Sequence, residues 1–322
     1  MRALVVSWAL ALAACASVPT HRRAGPLSVT MLPVKVTRGG APRIGALTLL
    51  AAYELRSEHP RFGGLSSLAL SGDGRTLVLL SDRGHWLSAR LVLAPNGALR
   101  SLKDWQIQPI RDASGAAVQR PWHDAEAIAR APDGAWLIGF EWNHRIWRYP
   151  RGLLGSRPVS LRLPPALREA PGNGSLEAIA ALPDGRLLFI CEHFMNQDGT
   201  HRGWIGKDGA LRPLSYVAEE GFAPTDLAVV PGSGDVLVLE RAFSVLRGNR
   251  ARILRLRAMD LRPGARLQGE ELARLEPPMR VDNFEGLAVQ RHATGALLVY
   301  LVSDDNFSVL QRTLLYQGSL PL

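Results

Sequence analysis

Residues 124–144 read DAEAIARAPDGAWLIGFEWNH. An apolar run on each side encloses the turn Pro132-Asp133-Gly134, and an acid stands at each outer end, Glu126 and Glu141. Asp-Gly between two apolar runs is a strong short-range signal for a β-hairpin. The second run is too short for a capped helix. The arrangement returns four times. It is FGGLSSLALSGDGRTLVLLSDRG at 62–84, SLEAIAALPDGRLLFICEH at 175–193, PTDLAVVPGSGDVLVLERAF at 224–243 and NFEGLAVQRHATGALLVYLVSDDNF at 283–307.

Hairpins that recur every 50 to 60 residues or so leave room for two further strands per unit, such as RIWRYP and PVSLRLP after the second hairpin. The expected fold is therefore all-β, a single β-propeller of five or six four-stranded blades. Five results if LLAAYELRS near the start completes the sheet of QRTLLYQGSL at the end. A degenerate blade within residues 28–60 would make six.

The 322 residues, 47% hydrophobic and 21% charged, suit a soluble domain with a sizeable core. A formal charge of +9 raises the question of nucleic acid. Of the 38 basic residues only Lys35, Lys103 and Lys207 are lysine, and the arginines are scattered without a basic block. That pattern argues against nucleic-acid binding.

The N-terminus MRALVVSWALALAACAS has Arg2, an apolar segment too short to span a bilayer, and then small residues, as a secretory signal does. Leu12-Ala13-Ala14-Cys15 resembles a bacterial lipobox. The expected organisation is a lipoprotein signal at 1–15 with lipidation at Cys15, a tether at 16–27 and the propeller at 28–322. Ordinary cleavage after Ala16 is the alternative. The lipoprotein reading implies a monomer in the cell envelope, on the periplasmic face of the outer membrane, touching the membrane only through its N-terminal lipid. Cys191 then has no disulfide partner, and inside RLLFICEH it reads as a buried thiol.

The repeated acids form two sets. Aligned on the acids, the first strands offer Glu126, Glu177, Asp226 and Glu285, with Ser66 in the corresponding place of the first unit. The ends of the second strands offer Asp82, Glu141, Glu192, Glu240 and Asp304, with Asp305 next in the chain. First strands of propeller blades line the channel, so so many carboxylates would repel one another unless paired or bound to a cation. Expected pairs are Asp82 with Arg83, Glu240 with Arg241, Glu192 with His193 and Glu141 with Arg145. The expected metal set is Glu126, Glu177, Asp226, Glu285, Asp304 and Asp305, oxygen ligands of the kind Ca²⁺ takes. The bland reading is that the acids accept backbone hydrogen bonds and lock blade to blade. Trp122, Trp142 and Trp147 read as packing between blades. No G-x-S-x-G elbow supports a serine esterase.

FGGLSSLAL…SDRGHW, DAEAIA…FEWNHRIWRY, SLEAIAALPDGRLL, PTDLAVV…VLVLERAFS and DNFEGLAV…LVSDDNF…QRTLLY, in that order, resemble the phytase-like family described by an esterase-like activity. The likeness runs from about residue 45 to 320. It implies an exported bacterial propeller whose acids serve phosphoester hydrolysis with Ca²⁺. The positions it carries over are Asp82, Arg83, Glu126, Glu141, Glu177, Glu192, Asp226, Glu240, Arg241, Glu285, Asp304 and Asp305. Asp82, Arg83, Glu141, Glu192, Glu240 and Arg241 are expected to be catalytic, acting on a small phosphorylated or ester substrate. Ser66 and Trp142 depart from the pattern. The alternatives are a non-catalytic binding module of the envelope and a Ca-dependent sugar lactonase.

Overall fold

Five antiparallel sheets stand around one axis in the computed structural model, which describes residues 26–36 and 43–321. The lipobox with Cys15, the signal segment and the tether as far as residue 25 lie outside the described residues. Blade I runs from Leu65–Leu70 to Leu99–Pro109, and blade II from Ala125–Arg130 to Val159–Ser160. Blade III begins at Ala178–Ala181 and gains a fifth strand, Arg266–Gln268, which pairs in parallel with Arg212–Val217. Blade IV runs from Ala223–Val229 to Glu270–Leu275.

Blade V closes the ring. Its strands Asn283–Arg291, Leu297–Asp304 and Leu314–Leu320 are completed by Leu47–Arg56 and Thr30–Pro33 from the start of the chain. The expected partnership of LLAAYELRS with QRTLLYQGSL is present, with Tyr316 opposite Ala52. Among the described residues the sixth blade is not: Thr30–Pro33 and Leu47–Arg56 are used as outer strands of the fifth. Closure by the two ends of the chain removes the open seam that a ring of sheets would otherwise have.

The hairpins follow from local chemistry. Asp73, Asp133 and Asp184 each accept a hydrogen bond from the backbone N–H two residues on, and the glycine between adopts positive φ. The strands are aliphatic on both faces, because each sheet is packed between two others. Leu68, Leu79 and Leu87 of blade I meet Tyr300 and Val302 of blade V, while Val78 and Leu80 meet Ile128 and Ile138 of blade II. At the channel the blades approach to backbone contact. A Cβ on Gly286 would strike the backbone of Ser67 and Leu68.

Among the described residues no helix is long and apolar enough to cross a membrane. Trp147 packs edge-on to Phe140 at 4.9 Å, but Trp122 and Trp142 are half or more exposed, contrary to the packing role expected of them. They belong to loops at the channel mouth. Cys191 is fully buried, and burial pushes its thiol pKa up.

Candidate active site

The inner strands bulge where they enter the channel, and the bulge places the acids. Pairing skips one residue at Ser66, Glu126, Thr225 and Glu285. In the same frame Ala178 pairs with Ile190 as Ala127 pairs with Gly139, so Glu177 is the equivalent in blade III. Blade IV is therefore out of step with the alignment on acids. Thr225, not Asp226, shares the frame of Glu126, Glu177 and Glu285. One strand outward Arg241, not Glu240, matches Asp82, Glu141, Glu192 and Asp304. Aligning the apolar residues instead, LAV of TDLAVV on LAV of EGLAVQ, recovers this frame from the sequence.

The one-residue shift decides where the blade IV acids go, because neighbours on a strand face opposite ways. Asp226 turns into the channel and plugs it. Its carboxylate accepts from the Leu227 and Leu287 backbones at 2.8 Å each and from Ser67 Oγ at 3.0 Å. Ser67 Oγ in turn accepts from the Ile128 backbone. Four blades are thus joined through two side chains, Asp226 and Ser67. Glu240 turns away from the mouth, between blades III and IV, where Arg252 Nε at 2.5 Å and the Tyr216 hydroxyl hold it.

Two more acids are occupied by backbone. Glu141 accepts from the N–H groups of Gly174 at 2.8 Å, Ser175, and Leu176 at 3.1 Å. Asp305 accepts from Gly64 and Phe307 at 3.0 Å and from the Thr313 hydroxyl. Gly64 has positive φ, and a Cβ there would collide with the Asp82 carboxylate, so only glycine lets this loop pass the mouth.

The rest converge. Asp82, Asp124, Glu126, Glu177, Glu192, Glu285 and Asp304 influence one another in sequence around the ring, with Arg241 facing them from blade IV. Burial raises Asp82 to about 7, helped by Asp304 and Asp124. Burial and Glu285 raise Asp304 to about 8. Glu285 reaches about 7 by burial, against the pull of Arg241. Burial and Asp124 lift Glu126 well above the usual range. Glu192 goes the other way. Burial opposes its charge, but His193 at 2.8 Å, Arg241 at 3.0 Å and a hydrogen bond from Glu177 bring it to about 2. Glu177 shifts the opposite way, its own pKa raised by burial and by Glu192.

Of the four pairs expected from sequence, only Glu192 with His193 forms. Arg83 lies over the Phe307 ring at 3.2 Å. Arg145 lies over Phe140 and bonds to the carbonyls of Trp122 and Asn143. Arg241 reaches Glu192 and Glu285 instead of its chain neighbour. Its Nε lies 3.4 Å from Glu285 Oε1, and this buried donor has no hydrogen-bond partner. The two sets of acids drawn from the sequence leave out Asp124 and Asn283. Asn283 donates to Glu285 at 2.6 Å.

The donor set at the mouth is carboxylate oxygen, which suits a hard cation. Among the described residues no three His, Cys, Asp or Glu side chains stand in metal-holding geometry. Asp82, Glu285 and Asp304 would have to draw closer to hold one.

These features define a five-bladed propeller with a carboxylate-rich channel mouth. The sequence matches the model of the phytase-like family, "esterase-like activity of phytase", over residues 60–307, and the chain belongs to that family. No curated protein matches the chain. Solved structures similar in shape include a luciferin-regenerating enzyme, 10% identical over 81% of this chain and 95% of that one, TM-score 0.42. The catalytic domain of a Coprinopsis cinerea GH62 α-L-arabinofuranosidase is 10% identical over 92% and 98%, TM-score 0.45. The Dos1 propeller is 11% identical over 81% and 70%, TM-score 0.40. At such identities none of them bears on activity.

Proposed function

We propose that this chain is an esterase-like hydrolase whose reaction takes place at the channel mouth, on a small phosphoester. The family and the fold support an esterase-like role. One observation carries the proposal further: Asp82, Glu285 and Asp304 gather at the mouth with few donors from the protein itself and with Arg241 facing them. Glu192 is lowered to about 2 and Glu177 is shifted upward by burial and by Glu192, while burial raises Asp82, Glu285 and Asp304 to between about 7 and about 8. Groups whose pKa lies near the working pH are the ones that exchange protons with a substrate efficiently.

Hydrolysis needs one group to accept a proton from water and one to return a proton to the departing oxygen. Glu285 in its ionised form is the base in this reading, oriented by Asn283. Asp304 or Asp82, protonated at neutral pH, supplies the acid. Arg241, kept charged by Glu285 and Glu192 against the cost of its burial, offers its free Nε–H to an oxygen of the substrate. Glu177 and Glu192 act on Arg241 and hold its position.

Charge decides between phosphoester and neutral ester. A phosphate group entering this ring meets many carboxyl groups and one inward guanidinium, so it needs a cation to enter as a dianion. Of Asp82 and Asp304, the one that does not carry the acid's proton would help to hold Ca²⁺ in its ionised form, since a carboxyl group bound to the cation cannot also be the acid. When bound, Ca²⁺ would neutralise charge on substrate and carboxylates. The second reading, a neutral ester or sugar lactone, is favoured by the same negative mouth without a cation. The remaining reading is a binding module without catalysis. Attachment to the envelope through Cys15 belongs to the proposal and is decided by mass spectrometry of the mature N-terminus.

The test uses the purified chain from residue 16 with p-nitrophenyl phosphate, bis-p-nitrophenyl phosphate and p-nitrophenyl acetate, in Ca²⁺ or EDTA. Phosphoester cleavage that EDTA abolishes supports the proposal. Cleavage of acetate alone, indifferent to EDTA, moves the assignment to a neutral ester. No cleavage of any substrate overturns catalysis at this mouth.

A further inference from the structure

Two hairpin tips on the mouth face carry the same short sequence. Blade IV turns through Phe243-Ser244-Val245-Leu246-Arg247, and blade V through Phe307-Ser308-Val309-Leu310-Gln311-Arg312. In each tip the Val-Leu pair stands almost wholly in solvent. Val245 and Leu246 are 92% and 98% exposed, Val309 and Leu310 99% and 89%. Phe307 is anchored under Arg83, whereas Phe243 is 65% exposed and extends the first apex. Single exposed apolar residues need no explanation. Two neighbouring apices built alike, which contribute nothing to the core, do.

The tips are tied together. Asp282, in the segment between the two blades, accepts from Asn249 Nδ2 at 3.4 Å at the base of the first tip. It also accepts from the Arg312 backbone at 3.0 Å at the base of the second. Arg247 and Arg280 are exposed around these bases, while the Arg312 guanidinium is held by Glu54 at 3.0 Å. The described chain also begins on this side. The Ser28 carbonyl accepts from Ser57 Oγ at 2.5 Å, and Ser28 and Thr30 line one groove with Val309, Gln311 and Arg312.

We propose that the mouth face docks on an anionic lipid surface, with both Val-Leu apices entering the boundary between headgroups and acyl chains. Apolar apices above Arg247 and Arg280 match the two layers of such a surface: aliphatic tips below the headgroups, guanidinium groups at the phosphates. A net charge of +9 draws the chain toward it. A protein partner would need two matching pockets at a fixed spacing, while a lipid layer deforms around both. The inference stands apart from catalysis, and it needs no lipid on Cys15.

The experiment is flotation of residues 16–322, which hold every described strand, with vesicles of phosphatidylethanolamine and phosphatidylglycerol or of phosphatidylcholine alone. Wild type is expected to float with the anionic vesicles, less so in high salt. The combined substitution Val245→Ser, Leu246→Ser, Val309→Ser and Leu310→Ser should lower partitioning roughly hundredfold, since each buried CH₂ contributes several-fold. Its melting temperature should match wild type, because the four side chains are in solvent. Leu246→Trp should report insertion by a blue-shifted emission on binding. Absence of wild-type binding at low salt, or equal binding by the fourfold variant, overturns the proposal. Concentration-dependent self-association that the variant abolishes, without vesicle binding, would assign the tips to a second copy of the chain.

Discussion

Glu141 and Glu285 are both buried acids at the mouth, and burial raises each to about 7. What surrounds their oxygens differs. Glu141 accepts three backbone N–H groups from the segment that leads into blade III. Glu285 accepts one side-chain amide and looks toward Arg241, Glu192 and Asp82. Asp305, Asp226 and Glu240 belong with Glu141, each filled by donors from the protein itself. Asp82 and Asp304 belong with Glu285. A shifted pKa does not separate a fastening acid from a reacting one; the count of internal donors does.

The largest expected effect lies on the fastening side. Glu141→Ala leaves three backbone N–H groups without an acceptor, at roughly 1 kcal/mol or more each, so about 3 kcal/mol of stability should go. Urea denaturation measures it, and activity per folded molecule should stay within severalfold. A variant as stable as wild type would break the comparison at its first member.

Glu285→Gln is the converse. It keeps the shape and removes a group whose burial already disfavours its charge. Stability should hold or rise, and turnover of the substrate found in the ester screen should fall about hundredfold, roughly 2.7 kcal/mol in barrier. Loss of stability without loss of rate would place Glu285 among the fasteners.

The pH dependence sharpens the contrast between raised and lowered groups. Asp82, Glu285 and Asp304 have folded pKa values of about 7 to about 8 against 3.8 or 4.5 for the free side chains. Their penalty is absent below the free values and grows as pH rises through the folded ones. In EDTA the melting temperature should therefore decline from about pH 5 to pH 8.5. Glu192, lowered to about 2, works in the opposite sense, and its contribution is lost only as pH falls from 4.5 toward 2. Melting curves across pH check both arms. A flat profile between pH 5 and 8.5 would falsify the repulsion argument.

The smallest effect concerns Arg83, which read as the partner of Asp82 and lies over Phe307 instead. Arg83→Ala should cost about 0.5–1 kcal/mol, the value of an exposed cation–π contact. Thermal melts measure it, and a much larger loss would restore an electrostatic role beside Asp82.

Much of this was legible in the chain. Five Asp-Gly or Gly-rich hairpins at a steady spacing determine a propeller, because short-range turn chemistry and strand pattern are local properties. The closing strand was legible too, since a lone LLAAYELRS at one end and QRTLLYQGSL at the other have no nearer partner. The frame of blade IV was written in LAV on LAV, and aligning the acids concealed it. The roles of the acids lay beyond local pattern. The donors that occupy Glu141 begin 33 residues further on, and two of the three that occupy Asp226 are as remote, Leu287 lying 61 residues ahead and Ser67 159 residues back. Nor do charged neighbours pair, because a strand turns Arg241 toward the mouth and Glu240 away from it. Local sequence determined where carboxylates could gather; only the closed ring decided which of them the protein's own donors would fill.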